Sequence, residues 1–201
     1  MSAHTKVAVL LSTYNGEKFL AEQLDSLLAQ SHKNFILVVR DDDSCDRTVS
    51  ILENYAGDHP ERIHFLSRDG INMGASAGFA FLVDYALKNK ESLGLKSTYM
   101  MFCDQDDTWY PQKIEKLLVA MLVTEADYDS TLPIIVHSDL EVVSEQNTII
   151  AKSFVNYQGL EIKRNSFPNL VISNLVTGCT ALINQSLAEK ALPIPEDAIM
   201  H

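Results

Sequence analysis

Short apolar runs alternating with segments of helical periodicity constrain this chain more than any other feature. Val7-Ala-Val-Leu-Leu11, Phe35-Ile-Leu-Val-Val39, Ile63-His-Phe-Leu66 and Tyr99-Met-Met-Phe-Cys103 are short and β-rich, with almost no polar break. A strand that faces water on one side alternates apolar with polar, whereas a run without alternation needs cover on both faces. The cover is supplied in between. Phe19, Leu20, Leu24, Leu27 and Leu28 recur at helical spacing after Asn15-Gly16, and Val49, Leu52 and Tyr55 follow a cap at Ser44 or Asp46. Phe81, Leu82, Tyr85 and Leu87 predict a third buried helix face. Ile114, Leu117, Leu118, Met121 and Leu122 predict a fourth, with Pro111 in its first turn. Strand followed by helix, four times over, reads as parallel β-α-β units.

Beyond Pro133 the pattern loosens. Ile134-Ile-Val136, Glu141-Val-Val143 and Thr148-Ile-Ile150 are short strand signals, and Gly178 to Ile183 reads as a later strand before a short helix. The fold class expected is therefore α/β: three layers, a mostly parallel central sheet, and antiparallel strands added at one edge by the last third. No repeat or flexible linker divides the 201 residues, so residues 1–201 read as one domain.

Charge and composition exclude several classes. Sixteen Lys and Arg against 27 Asp and Glu give a net charge of −11, the wrong sign for a nucleic-acid footprint. The longest apolar stretch, Leu117 to Val123, is far short of the roughly 20 residues that span a bilayer. The start carries no signal-peptide core, and three scattered cysteines suit reduced thiols, so the expected location is cytoplasmic.

In an open parallel sheet, ligands bind beyond the carboxyl ends of the strands. Those ends here are Ser12-Thr-Tyr-Asn15, Arg40-Asp-Asp-Asp43, the loop from Ser67 to Gly74, and Asp104-Gln-Asp-Asp107. Two are acidic clusters, and carboxylates at a strand end suit a hard divalent cation such as Mg²⁺. The chain has neither G-x-x-x-x-G-K-[ST] nor G-x-G-x-x-G, so a phosphate-bearing ligand would be held through metal at Asp104-x-Asp106. Gly74-Ala-Ser76-Ala-Gly78 matches a hydrolase nucleophile elbow, with His137, Asp139 and His201 downstream. The elbow needs a strand running straight into its first glycine, and a polar loop stands there instead. Small residues that let a helix start pack close to the sheet explain the motif better.

Taken in order, Val7 to Asn15, Arg40 to Thr48 and Phe102-Cys-Asp-Gln-Asp-Asp-Thr-Trp-Tyr-Pro111 resemble the family 2 inverting glycosyltransferases of GT-A fold. The nearest flavour is the rhamnosyltransferase-like branch that builds bacterial surface polysaccharide. The resemblance runs from residue 6 to about 185. It implies a nucleoside-diphosphate sugar donor (UDP- or dTDP-linked, dTDP-rhamnose among them), a saccharide or lipid-linked acceptor, and Mg²⁺ or Mn²⁺ as cofactor. Ser12, Thr13, Tyr14 and Asn15 would line the base, and Asp42 would accept from a pyrimidine ring nitrogen. Asn72 and Gly74 would approach the diphosphate, and Gln105 would line the donor site. Asp104 and Asp106 would hold the metal, Asp106 most directly. Asp107 would be an outer partner or a helix cap, and Asn174 to Cys179 would border the acceptor. Residues 1–110 would form the nucleotide half and 111–201 the start of an acceptor half. The resemblance places the catalytic base just past His201, with Glu196 and Asp197 as in-chain candidates, and leaves open a peripheral membrane contact through the segment beyond His201. Two other readings stand beside it: a sugar-nucleotide pyrophosphorylase, which would carry a basic Gly-rich loop where Thr13 to Glu17 stands, and a donor-binding fragment without turnover.

Overall fold

The computed structural model describes residues 4–66, 70–128, 131–161, 163 and 176–194. Strands β1 (Val7–Thr13), β2 (Phe35–Asp41), β3 (Ile63–Phe65) and β4 (Tyr99–Cys103) are separated by helices α1 (Leu20–Leu28), α2 (Thr48–Asp58) and α3 (Gly74–Lys88). Helix α4 (Lys113–Asp127) leads to β5 (Ile135–His137), β6 (Val142–Val143), β7 (Ile149–Ala151) and α5 (Phe154–Tyr157). A 3₁₀ turn at Gly178–Thr180, strand β8 (Ala181–Ile183) and helix α6 (Gln185–Ala191) come after them.

The main sheet has six strands in the order β3-β2-β1-β4-β8-β5. Pairings β1–β2, β1–β4 and β2–β3 are parallel. β8 runs antiparallel to both β4 and β5. Strand β8, internal to the sheet, and β5 outside it therefore extend the parallel β3-β2-β1-β4 unit at one edge, as the sequence led us to expect. Strands β6 and β7 form a separate two-stranded ladder. Its turn reaches back to α1, where Glu145 pairs with Lys18 at 2.7 Å and the Asn147 amide donates to Glu22 at 2.6 Å.

The unbroken apolar strands bury both faces. Val7, Val9 and Leu11 of β1 face α1 and α4, packing with Leu20, Leu24, Ile114 and Leu118. Ala8 and Leu10 face the other way, onto Phe79, Leu82, Val83 and Ala86 of α3. This is the three-layer α/β/α arrangement expected. Three local expectations are corrected. Helix α3 buries Phe79, Leu82, Val83 and Ala86, while Phe81 lies at the surface, stacked beside Tyr85 with the Arg40 guanidinium over its ring. Pro111 sits in the turn before α4, which begins at Lys113. Gly178–Thr180 is 3₁₀, and only Ala181–Ile183 pairs as strand.

Candidate functional site

The carboxyl ends of β1, β2 and β4 meet at the point where the strand order reverses, the crevice in which open α/β sheets bind ligands. A cleft of about 360 Å³ opens there. Its walls come from Ser12, Thr13 and Tyr14 after β1, Asp42 after β2, Asn72, Gly74, Ala75 and Phe79 at the start of α3, and Asp104, Gln105 and Asp106 after β4.

The loops around it are stitched together by side chains. The Asn15 backbone N–H donates to Ser44 Oγ at 2.9 Å, that of Gly16 to Thr48 Oγ1 at 2.7 Å, and that of Glu17 to Asp46 at 3.1 Å. The cap position of α2 is Arg47, neither of the two candidates, although Asp46 just before it accepts from the Thr48 backbone N–H. Asn15 is the one β1-loop candidate whose side chain turns away from the cleft. Its Oδ1 accepts from the Cys45 backbone N–H at 3.0 Å, and its φ of 47° places it in the left-handed region that Asn tolerates.

Three consecutive aspartates have three fates. Asp41 accepts from the hydroxyls of Thr13 (3.1 Å) and Ser44 (2.6 Å). Asp42 is 3% exposed and accepts from the backbone N–H groups of Met73 (2.8 Å) and Gly74 (2.7 Å), besides pairing with buried Arg40. It thereby caps α3 from another strand, as an anion at a helix N-terminus should. Asp43 is exposed, with φ 65°. Gly78 packs directly on the floor: a Cβ there would lie 2.7 Å from Ser12 Oγ. The small-residue reading therefore holds at Gly78, whereas a Cβ at Gly74 would meet nothing within 4 Å and that position is set by its φ of 76°. Asp139 accepts from the backbone N–H groups of Leu140 and Val155.

At the β4 end, carboxylate oxygens of Asp104 and Asp107 and the Cys179 sulfur lie within 4.8 Å of one another. Asp106 is exposed at the cleft. Burial, followed by the charges of Asp107 and Asp106, pushes the Asp104 carboxyl up to about 6. Burial also raises Asp107 and the Cys179 thiol. Lys113 Nζ sits 3.9 Å above the Trp109 ring centroid and donates to the Cys179 carbonyl at 2.7 Å, its own affinity for a proton lowered by burial. Asp107 is thus no helix cap: α4 is capped at Gln112, and Asp107 belongs with Asp104. Lys113 carried little sequence signal, since it lies outside the acidic motif along the chain, and Cys179, which the resemblance set at the acceptor border, stands against the acidic pair. Two carboxylates brought this close, with burial raising both, are a donor set suited to a hard cation. A protonated thiol adds no ligand for such an ion. Asn174, Glu196, Asp197 and His201 lie outside the described residues, as does Leu175; Val176 to Cys179 lead into β8.

Among the described residues, no helix is long and apolar enough to cross a membrane. Comparison with known proteins agrees with the fold. Two solved structures are similar over 96% of this chain: Staphylococcus aureus TarS residues 1–349 with UDP (TM-score 0.56, 20% identity, 51% of that chain) and the Pyrobaculum calidifontis mannosyltransferase PcManGT with GDP-Man and Mn²⁺ (TM-score 0.56, 18% identity, 48% of that chain). The fold is GT-A. The Shigella flexneri dTDP-rhamnosyl transferase RfbG is 32% identical over 118 residues, 58% of this chain and 38% of that protein. The chain spans about half, or less, of the length of the curated relatives it matches. The family model described as "Glycosyl transferase family 2" matches residues 8–191, so the chain belongs to that family of glycosyltransferases.

Proposed function

We propose that this domain binds a pyrimidine nucleoside-diphosphate sugar through a divalent cation, Mg²⁺ or Mn²⁺. The enzyme it belongs to then transfers the sugar, with inversion, to a saccharide or lipid-linked acceptor in surface polysaccharide assembly. The observation that carries this reading is the cleft itself, in which residues from four separate chain segments at the strand ends converge. Tyr14, 51% exposed at its mouth, offers an aromatic face for a base. Asp42 Oδ2 accepts one backbone N–H and keeps a lone pair with which to accept from uracil or thymine N3–H. Cytosine, with an acceptor at N3, would meet a carboxylate. The start of α3, with Asn72 and Gly74, faces the diphosphate through the N–H groups beyond those of Met73 and Gly74, which Asp42 already holds. Asp104 and Asp106 hold the metal, with Asp107 completing the acidic set. When bound, the cation neutralises charge developing on the departing diphosphate.

Residues 1–110 form the donor half in this reading, and 111–201 open the acceptor half. RfbG, by its name a dTDP-rhamnosyl transferase, supports a dTDP-linked donor, and the Mn²⁺ in the PcManGT complex supports the metal. Three free cysteines suit a reducing, cytoplasmic setting. A thermal-shift series with UDP, dTDP, CDP and GDP, with and without Mn²⁺, tests the proposal. UDP or dTDP should raise the melting temperature only with metal present, and CDP should not. Stabilisation unchanged by EDTA would remove the metal from the reading.

A further inference from the structure

We propose that Gln105 is a positioning residue that locks the base-binding loop to the metal-binding motif, and that Gly16 is glycine in order to leave that lock room. The inference rests on the cleft being the nucleotide site. The β1–β4 ladder ends at the pair Leu11 and Cys103, so Tyr14, beyond it, has no sheet partner from β4. The Gln105 side chain takes the place of that missing peptide. Its Oε1 accepts from the Tyr14 backbone N–H at 2.8 Å, and its Nε2 donates to the Tyr14 carbonyl at 3.0 Å. Both polar ends of the amide are thus committed to one exposed residue, on a side chain flanked by Asp104 and Asp106. Glu would lack the donor, Asn would fall a methylene short, and an apolar side chain would leave both Tyr14 groups unpaired.

The other side of the amide is closed by Gly16. A Cβ at this position would lie 2.4 Å from Gln105 Oε1 and 2.7 Å from its Cδ. Gly16 is not among the glycines with positive φ, so its backbone accepts alanine. The atoms struck belong to the end of a flexible side chain. Gly16→Ala therefore leaves the fold in place and pushes the amide off Tyr14. Position 16 matters through position 105.

The test divides the donor into its parts. Uridine carries the base without phosphate, and Mn²⁺–pyrophosphate carries the phosphates without base. Gln105→Leu should weaken uridine binding about tenfold, since two hydrogen bonds holding Tyr14 in its competent position are lost. Mn²⁺–pyrophosphate affinity should stay within about twofold, because the carboxylates are untouched. Gly16→Ala should show the same split, with an unfolding midpoint no lower than that of Gln105→Leu. In a Gln105→Ala background, where the methyl has space, Gly16→Ala should add nothing. If uridine binds Gln105→Leu as well as wild type, or both probes weaken together, Gln105 has no positioning role. If Gly16→Ala costs as much with Ala at 105 as with Gln, the link between the two positions is wrong. If wild type binds neither probe, the nucleotide reading itself fails and takes this inference with it.

Discussion

Asp42 shows how much one carboxylate can be asked to hold. It pairs with Arg40, caps α3 through Met73 and Gly74, and faces the cleft. Asp42→Ala removes the carboxylate from a buried guanidinium and leaves two helix N–H groups without their acceptor, and should cost about 3–5 kcal/mol of stability in urea unfolding. Nucleotide affinity should fall with it. Asp43→Ala removes an exposed side chain and should leave nucleotide affinity near wild type, while the φ of 65°, which Ala tolerates less well than Asp, costs about 1 kcal/mol of stability. Equal losses at the two positions would mean the cluster acts as diffuse charge. The sequence located this cluster at a strand end but could not apportion it. Which of three adjacent aspartates reaches the cleft depends on the pleat of β2 and on where α3 begins, at Gly74, far downstream in the chain.

At the scale of elements, the start of α3 sets the shape of the cleft. Gly78 lies against Ser12, so a Cβ there either turns the Ser12 hydroxyl into the cleft or moves the helix off the strand. Gly78→Ala should therefore cost about 1 kcal/mol or more. It should also weaken UDP binding, which titration calorimetry can read beside the unfolding midpoint. The same helix shows where periodicity misleads. Phe79 to Val83 is apolar at every position, so two faces compete for the core. The sequence favours the aromatic face of Phe81 and Tyr85. The structure turns the helix toward Phe79, which meets Phe102 edge-on, so Phe81 is left at the surface while Tyr85, partly buried, packs at the margin of the core beside His64. Helix α1, with one clean apolar stripe, posed no such choice, and in α4 the stripe of Ile114, Leu117, Leu118 and Met121 is buried as its spacing indicates although Val119 and Val123 beside it are apolar and exposed.

Across the whole molecule, the parallel half and its ligand rim were legible because strand ends in such sheets share one side. The acidic centre was legible only in part, since Lys113 and Cys179 join it through tertiary packing. That centre gives the molecule a pH signature. Asp104, raised from 3.8 to about 6, binds its proton more tightly folded than unfolded. Without metal, stability should therefore fall as pH rises from about 4 to about 6 and level off above. The gain from added Mn²⁺ should grow through the same window, as the carboxyl gives up its proton to make way for the ion. Melting curves from pH 4 to 8, with and without Mn²⁺, check both slopes; parallel curves would show that Asp104 takes no part in metal binding. The internal position of β8 has a different consequence, one of timing. Among the described residues, strand β5 pairs with β8 alone, and β8 is not synthesised until Ala181 to Ile183. On the ribosome β5 must wait, and the edge of β4 stays open, until that late strand emerges. The parallel half can assemble as it is made, whereas the C-terminal strands must close in one step, and the interval between the two is when a nascent chain is most exposed to mispairing.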